Sequence, residues 1–86
     1  MSTLKSPLKQ GAYKDRDIDC QEALEKAFND LSGPHWADVT PAAGGTMSPV
    51  MMALAKRAES VGWGLEEAEV AISELAQNLL DEAGSE

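Results

Sequence analysis

Leu65, Ala68, Ile72, Leu75, Ala76, Leu79 and Ala83 recur mostly at steps of three and four, with Glu66, Glu67, Glu69, Glu74, Asp81 and Glu82 between them. That spacing sets the apolar side chains along one stripe of an α-helix and the carboxylates around the rest. Such a stripe has to be buried, either against other helices or against a second copy. The pattern restricts the chain to helical packing and says nothing about chemistry.

With 86 residues the chain is at most one domain. A single core of that size rarely supplies more than about 3–5 kcal/mol of net stability, and small domains commonly add disulfides, a metal or self-association. The single cysteine, Cys20, cannot form an internal disulfide. One cysteine and one histidine, His35, cannot complete a structural zinc site. Self-association is the support that remains, so a homodimer is expected, with no cofactor and no metal.

The formal net charge of −8 is unevenly placed. Residues 1–16 carry Lys5, Lys9, Lys14 and Arg16 against Asp15 alone, a net of +3. Residues 17–86 carry Lys26, Lys56 and Arg57 against fourteen acids, a net of −11. An acidic body repels phosphate backbones and anionic lipid surfaces, since both are bound through cations on the protein. The basic segment offers at most a weak contact to nucleic acid or an acidic partner, and a solvated end explains it as well. No run of about 18 apolar residues occurs, so no membrane span is expected. Met1-Ser2-Thr3-Leu4-Lys5 leads into no signal-peptide core, and Ser2 replaces the glycine needed for myristoylation. These features together predict a cytoplasmic protein.

Residues 1–16 hold Pro7, Gly11 and aperiodic charges, which predicts a flexible basic tail. A single domain over 17–86 follows. Asp19 and Glu22 form a capping-box-like pair that opens a helix over about 19–32, with Ile18 packing back on its first turn. Cys20, Leu24, Ala27, Phe28 and Leu31 make its inward face, and Gly33-Pro34 ends it. Two prolines and several glycines predict a long loop over 33–47, anchored by Trp36 and Val39. Ser48-Pro49, a cap residue with proline at the first helical position, opens a second helix over about 49–61. Val50, Met51, Leu54, Ala55, Ala58 and Val61 face inward. Gly62-Trp63-Gly64 is short enough to make a hairpin with the third helix, over about 65–81, and Trp63 wedges between the two.

Most chemical signals in the chain have simpler explanations. Asp15, Asp17 and Asp19 resemble the start of a calcium-binding EF-hand loop. Cys20 then stands where that loop needs glycine, and Lys26 where it needs glutamate. The second and third helices resemble a helix-turn-helix, yet Glu66, Glu67 and Glu69 would meet the duplex. Ser48, opening a helix after a long loop, matches the layout of acyl or peptidyl carrier proteins. Its neighbours Met47 and Pro49 do not match their Asp-Ser-Leu type motif, and helix capping explains the serine. Cys20 on an inward face is expected to be inert, and His35 near Asp38 lacks a pocket that so short a chain can enclose. Met47, Met51 and Met52 fill core gaps, but methionines also line adaptable binding surfaces.

Asp19-Cys20-Gln21-Glu22-Ala23-Leu24-Glu25 with Ala27-Phe28 and Leu31 forms one segment of a resemblance. Ala58, Gly62-Trp63, Glu66-Glu67 and Glu74-Leu75-Ala76 with Asn78 form another. Over about half of the chain these residues resemble small acidic helical proteins of alphaproteobacteria, to which no activity is attached. The resemblance implies a bacterial, cytoplasmic helical protein and carries over no catalytic residue.

The expected fold is all-α: a small three-helix domain with a C-terminal αα-hairpin and a disordered N-terminal tail. The expected function is non-catalytic, a regulatory or adaptor module acting through protein–protein contact as a homodimer or with another protein. Trp36, Met47, Met51, Met52, Trp63, Leu75 and Leu79 are its candidate partner surface. The alternatives are a carrier modified at Ser48 and a weak nucleic-acid contact through the basic tail.

Overall fold

The computed structural model describes residues 6–8, 11, 13–32 and 36–84, with the side chains of Leu31, Ser32, Trp36 and Ala83 outside the description. The architecture is all-helical, with four helices rather than three: α1 (Arg16–Ser32), α2 (Trp36–Ala43), α3 (Pro49–Ser60) and α4 (Leu65–Gly84). At 1.5 Å per residue α4 is about 30 Å long, most of the 38 Å long axis of the molecule. It packs against each of the other three helices, which meet one another more lightly. The middle of its apolar stripe is therefore covered from within the chain. Ala68, Ile72, Leu75 and Ala76 are buried, together with Ala71.

α1 begins three residues earlier than Asp19. The Asp19 N–H donates to the Asp15 carbonyl at 2.9 Å, so Asp19 lies inside the first turn and does not cap it. Asp15 takes the left-handed conformation, φ 65°, which aspartate tolerates better than most residues. Several acids in succession offer rival start positions, and all suit the positive end of a helix. Cys20, Leu24, Ala27 and Phe28 are buried as the spacing predicts, while Ile18 stays exposed.

α2 corrects the loop expected over 33–47. Pro41 inside it removes one backbone donor, which in a long helix costs about 3 kcal/mol. Pro41 is the sixth of eight residues, past the first turn, so it forfeits one intrahelical bond, and only two helical residues follow it. Val39 and Ala42, three apart, are fully buried. At its last residue, Ser73 Oγ and Gln77 Nε2 of α4 donate to the Ala43 carbonyl at 3.3 and 2.9 Å. Tertiary partners thus satisfy a helix whose local sequence would break it.

α3 opens as read. The Met51 N–H donates to Ser48 Oγ at 3.3 Å, and Pro49 takes the first helical position. Losing such a cap costs about 1 kcal/mol. Ser48→Ala is expected to lower the thermal midpoint by about 4–8 °C, measured by circular dichroism; an unchanged midpoint would mean the bond carries no stability. At the other end the Gly62 N–H donates to Glu59 O and the Trp63 N–H to Ala58 O, both at 3.1 Å. That pair is a Schellman closure, and Gly62 at φ 117° supplies the left-handed residue it requires. Met51, Leu54, Ala55 and Ala58 are buried, Val61 is half-buried and Val50 is exposed. The hairpin of α3 and α4 closes over Trp63, which is 2 % exposed.

Candidate interaction surface

The best-tied polar group in the structure is Arg16, assigned by sequence to a flexible tail. Its guanidinium grips Glu67 with Nε at 2.7 Å and Nη2 at 3.0 Å, and Nη1 donates to the Gly11 carbonyl at 3.0 Å. It lies over the rings of Tyr13 and Trp63, with its carbon 5.6 and 5.2 Å from their centroids. The Leu8 N–H donates to the Tyr13 hydroxyl at 3.2 Å, and a side chain at position 62 would meet Pro7 at 3.1 Å. The described part of the N-terminal segment is thus folded onto the α3–α4 turn.

Glu67 acts at two levels. It is the third residue of α4, and its Oε1 accepts the Gly64 N–H at 3.0 Å, the return half of a capping box. Its bond from Arg16 holds its carboxyl below the usual carboxylate range; burial opposes this, and the Gly64 N–H and the Arg16 charge reinforce it. The folded state therefore binds fewer protons at Glu67 than the unfolded chain. The stabilisation is complete above the unfolded carboxylate value and is lost as pH falls through the lower folded value. Glu67→Gln is expected to be less stable at neutral pH and to lose less of its stability in acid. Urea titrations across the acid range would show this as a shallower decline; parallel declines would rule the ion pair out as its source.

Cys20 is fully buried, with its thiol donating to the Glu67 carbonyl at 3.9 Å. Burial, aided by the Glu67 charge and opposed by Arg16, pushes the thiol up to about 12. A thiol so held is a core side chain and a poor nucleophile. His35 lies outside the described residues, so its placement relative to Asp38 does too. Among the described residues no group of three or more His, Cys, Asp or Glu side chains is placed to hold a metal ion. Among them, no helix is long and apolar enough to cross a membrane.

The structure redistributes the expected partner surface. Met51, Trp63 and Leu75 are consumed by the core, because each lies on a face that a neighbouring helix covers. Met47, Met52 and Leu79 remain half-buried at the core's edge. The side chain of Trp36 lies outside the described residues. Leu79 borders a cleft lined by Glu25, Asn29, Asn78, Asp81 and Glu82, well away from Met47 in the chain. Of the six whose side chains are described, three are therefore buried and three lie at the core's edge.

A different surface is present on the outer side of α4. Val70 is 57 % exposed there, off the buried stripe. It forms a ridge between two grooves. One groove, of about 450 Å³, runs along α4 and the segment after α2, lined by Gly45, Met47, Glu66, Glu69, Ser73, Glu74 and Gln77. The other, of about 180 Å³, lies between α1 and α4 and is lined by Asp17, Gln21, Glu67, Ala71 and Glu74. Gln21 Nε2 donates to a Glu74 oxygen across it. Sequence reasoning missed Val70, although an apolar residue off the stripe of an amphipathic helix is a readable signal.

Comparison of the chain with protein-family models, curated proteins and solved structures gave no significant match.

Proposed function

We propose that this chain is a non-catalytic protein-interaction module, a small regulatory or adaptor protein acting in the cytoplasm, and that α4 presents its working face. The observation that carries this reading is Val70, an exposed β-branched residue on the one helix that all the others pack around. Valine forms helices less readily than alanine or leucine and gains nothing from burial at this position. With Met47 along the larger flanking groove it makes an apolar contact area among carboxylates. Apolar contact supplies affinity in such an arrangement, while the charges orient the partner and speed encounter.

A different polypeptide fits this face better than a second copy does. A symmetric dimer uses the same patch on both subunits. Glu66, Glu69 and Glu74 would then approach their own counterparts, with like charges opposed. Ala68, Ile72, Leu75 and Ala76 of the stripe that led to the homodimer expectation are buried within the chain, while Leu65 and Leu79 are half-buried. Ser48 is occupied as a helix cap, which accounts for it without modification.

Native mass spectrometry of the protein isolated from its own cells tests the proposal. The expected result is a complex with a second polypeptide whose contacts, mapped by hydrogen exchange, fall on the outer side of α4. A bare chain under all conditions would contradict it, and a covalent phosphopantetheine mass on Ser48 would replace it with a carrier role.

A further inference from the structure

We infer that the groove between α4 and the segment after α2 receives a basic segment of the partner protein, in which an apolar side chain packs on Val70 and Met47 between flanking lysines or arginines. The inference rests on the interaction-module reading and names the chemistry of the partner.

Three features of the groove define the occupant. Its walls carry two apolar side chains of different character: Val70 is stiff, while Met47 is unbranched and adapts to the shape placed against it. The groove therefore accepts leucine, isoleucine, methionine or phenylalanine. At its base Ser73 and Gln77 both donate to the Ala43 carbonyl, and neither brings a charge, so charge recognition comes from the rim.

The rim is anionic and uncompensated. Glu66 and Glu69 make no hydrogen bond or ion pair among the described residues. Among the described residues Glu74 accepts from the amide of Gln21 alone, which brings no charge. Arg16, on the neighbouring helix, is held by Glu67. Nucleic acid and anionic membranes are repelled by such a rim. A free metal ion satisfies the charge and leaves the apolar walls exposed. A peptide carrying cations on either side of an apolar residue satisfies both.

Length follows from helix geometry. From Glu66 to Gln77 the groove runs three turns, about 16 Å. A partner helix of about eleven residues spans it, with its apolar anchor near the middle and cations one turn away on either side.

The test is titration of the isotopically labelled full chain, followed by amide resonances, with a synthetic helical peptide bearing one leucine flanked by lysines at i−4 and i+4. Two control peptides replace the leucine with alanine or the lysines with glutamate. Shifts confined to residues 45–47 and 66–77 are expected, with binding weakened by salt. Val70→Ser in the protein, or leucine to alanine in the peptide, should each weaken binding about tenfold. Glu66→Gln with Glu69→Gln should weaken it while the protein stays folded, with its melting point lowered only slightly by the loss of a first-turn carboxylate. Equal binding of the alanine peptide would overturn the inference by showing charge alone at work. Shifts elsewhere on the body, or no binding, would also overturn it. The same shifts on concentrating the protein without peptide would put a second copy in the groove and overturn it too. If the basic peptide fails while the cellular complex still contacts α4, the partner chemistry is wrong and the interaction module stands. If no cellular complex forms, the module itself fails.

Discussion

An Ile72→Asp variant is expected to be unfolded at room temperature. Ile72 is fully buried on the helix that every other helix packs against. The substitution removes a core side chain and puts a carboxylate into a cluster of buried apolar side chains. Truncating a buried isoleucine alone costs about 2–5 kcal/mol, and burying an unpaired polar group adds to this. The sum exceeds the ~3–5 kcal/mol that a core of this size supplies. Far-ultraviolet circular dichroism should show most of the helical signal lost and no cooperative melt. Val70→Asp, two residues earlier on the exposed side, is the matched control and should shift stability by no more than about 0.5 kcal/mol. A folded Ile72→Asp protein would mean that the stripe of α4 is not the centre of the core.

Trp63→Ala is expected to cost about 3–5 kcal/mol and to remove fixed tertiary packing while much helix persists. Alanines make up a large share of the buried residues, among them Ala55 and Ala58 on α3 and Ala68, Ala71 and Ala76 on α4. Small residues let helices approach, but they leave the volume of the core to a few large side chains. Trp63 is the largest of these, ahead of Phe28 and Leu24. It also follows the glycine that closes α3, and Arg16 lies over its ring. Its loss leaves a cavity at the joint of α3, α4 and the N-terminal segment. Near-ultraviolet dichroism and a thermal melt should show a weak tertiary signal and a broad transition. A cooperative melt close to that of the parent protein would show that neighbouring helices refill the site.

Three of the four helices were legible because their signals are local. The apolar periodicity of α1 and α4, Ser48-Pro49 at the start of α3 and Gly62 at its end all act within one or two turns. α2 was hidden because its stability is not local. Pro41 within it and Gly44-Gly45 after it read as loop, whereas Val39, Ala42 and the donors from Ser73 and Gln77 act from across the fold. The same reason hid Arg16. Its partner Glu67 is 51 positions away in sequence, so nothing nearby distinguishes it from the lysines of the same segment.

The partner surface was legible only in part. Methionine and tryptophan suit both core and interface, and their residue types do not decide between the two. Burial of Met51, Trp63 and Leu75 settles which of them the core uses. Met47 keeps a place beside the groove, where it joins Val70, a residue whose position off the stripe was visible from the start.

The claim on which the rest depends is that one chain closes its own core around α4 and leaves the Val70 face free. Sedimentation equilibrium of the full chain across micromolar concentrations tests it most directly. A single species of 9.2 kDa is predicted, folded throughout the range. A dimer that persists on dilution and separates only as the chain unfolds would contradict it, because the stripe would then be completed by a second copy.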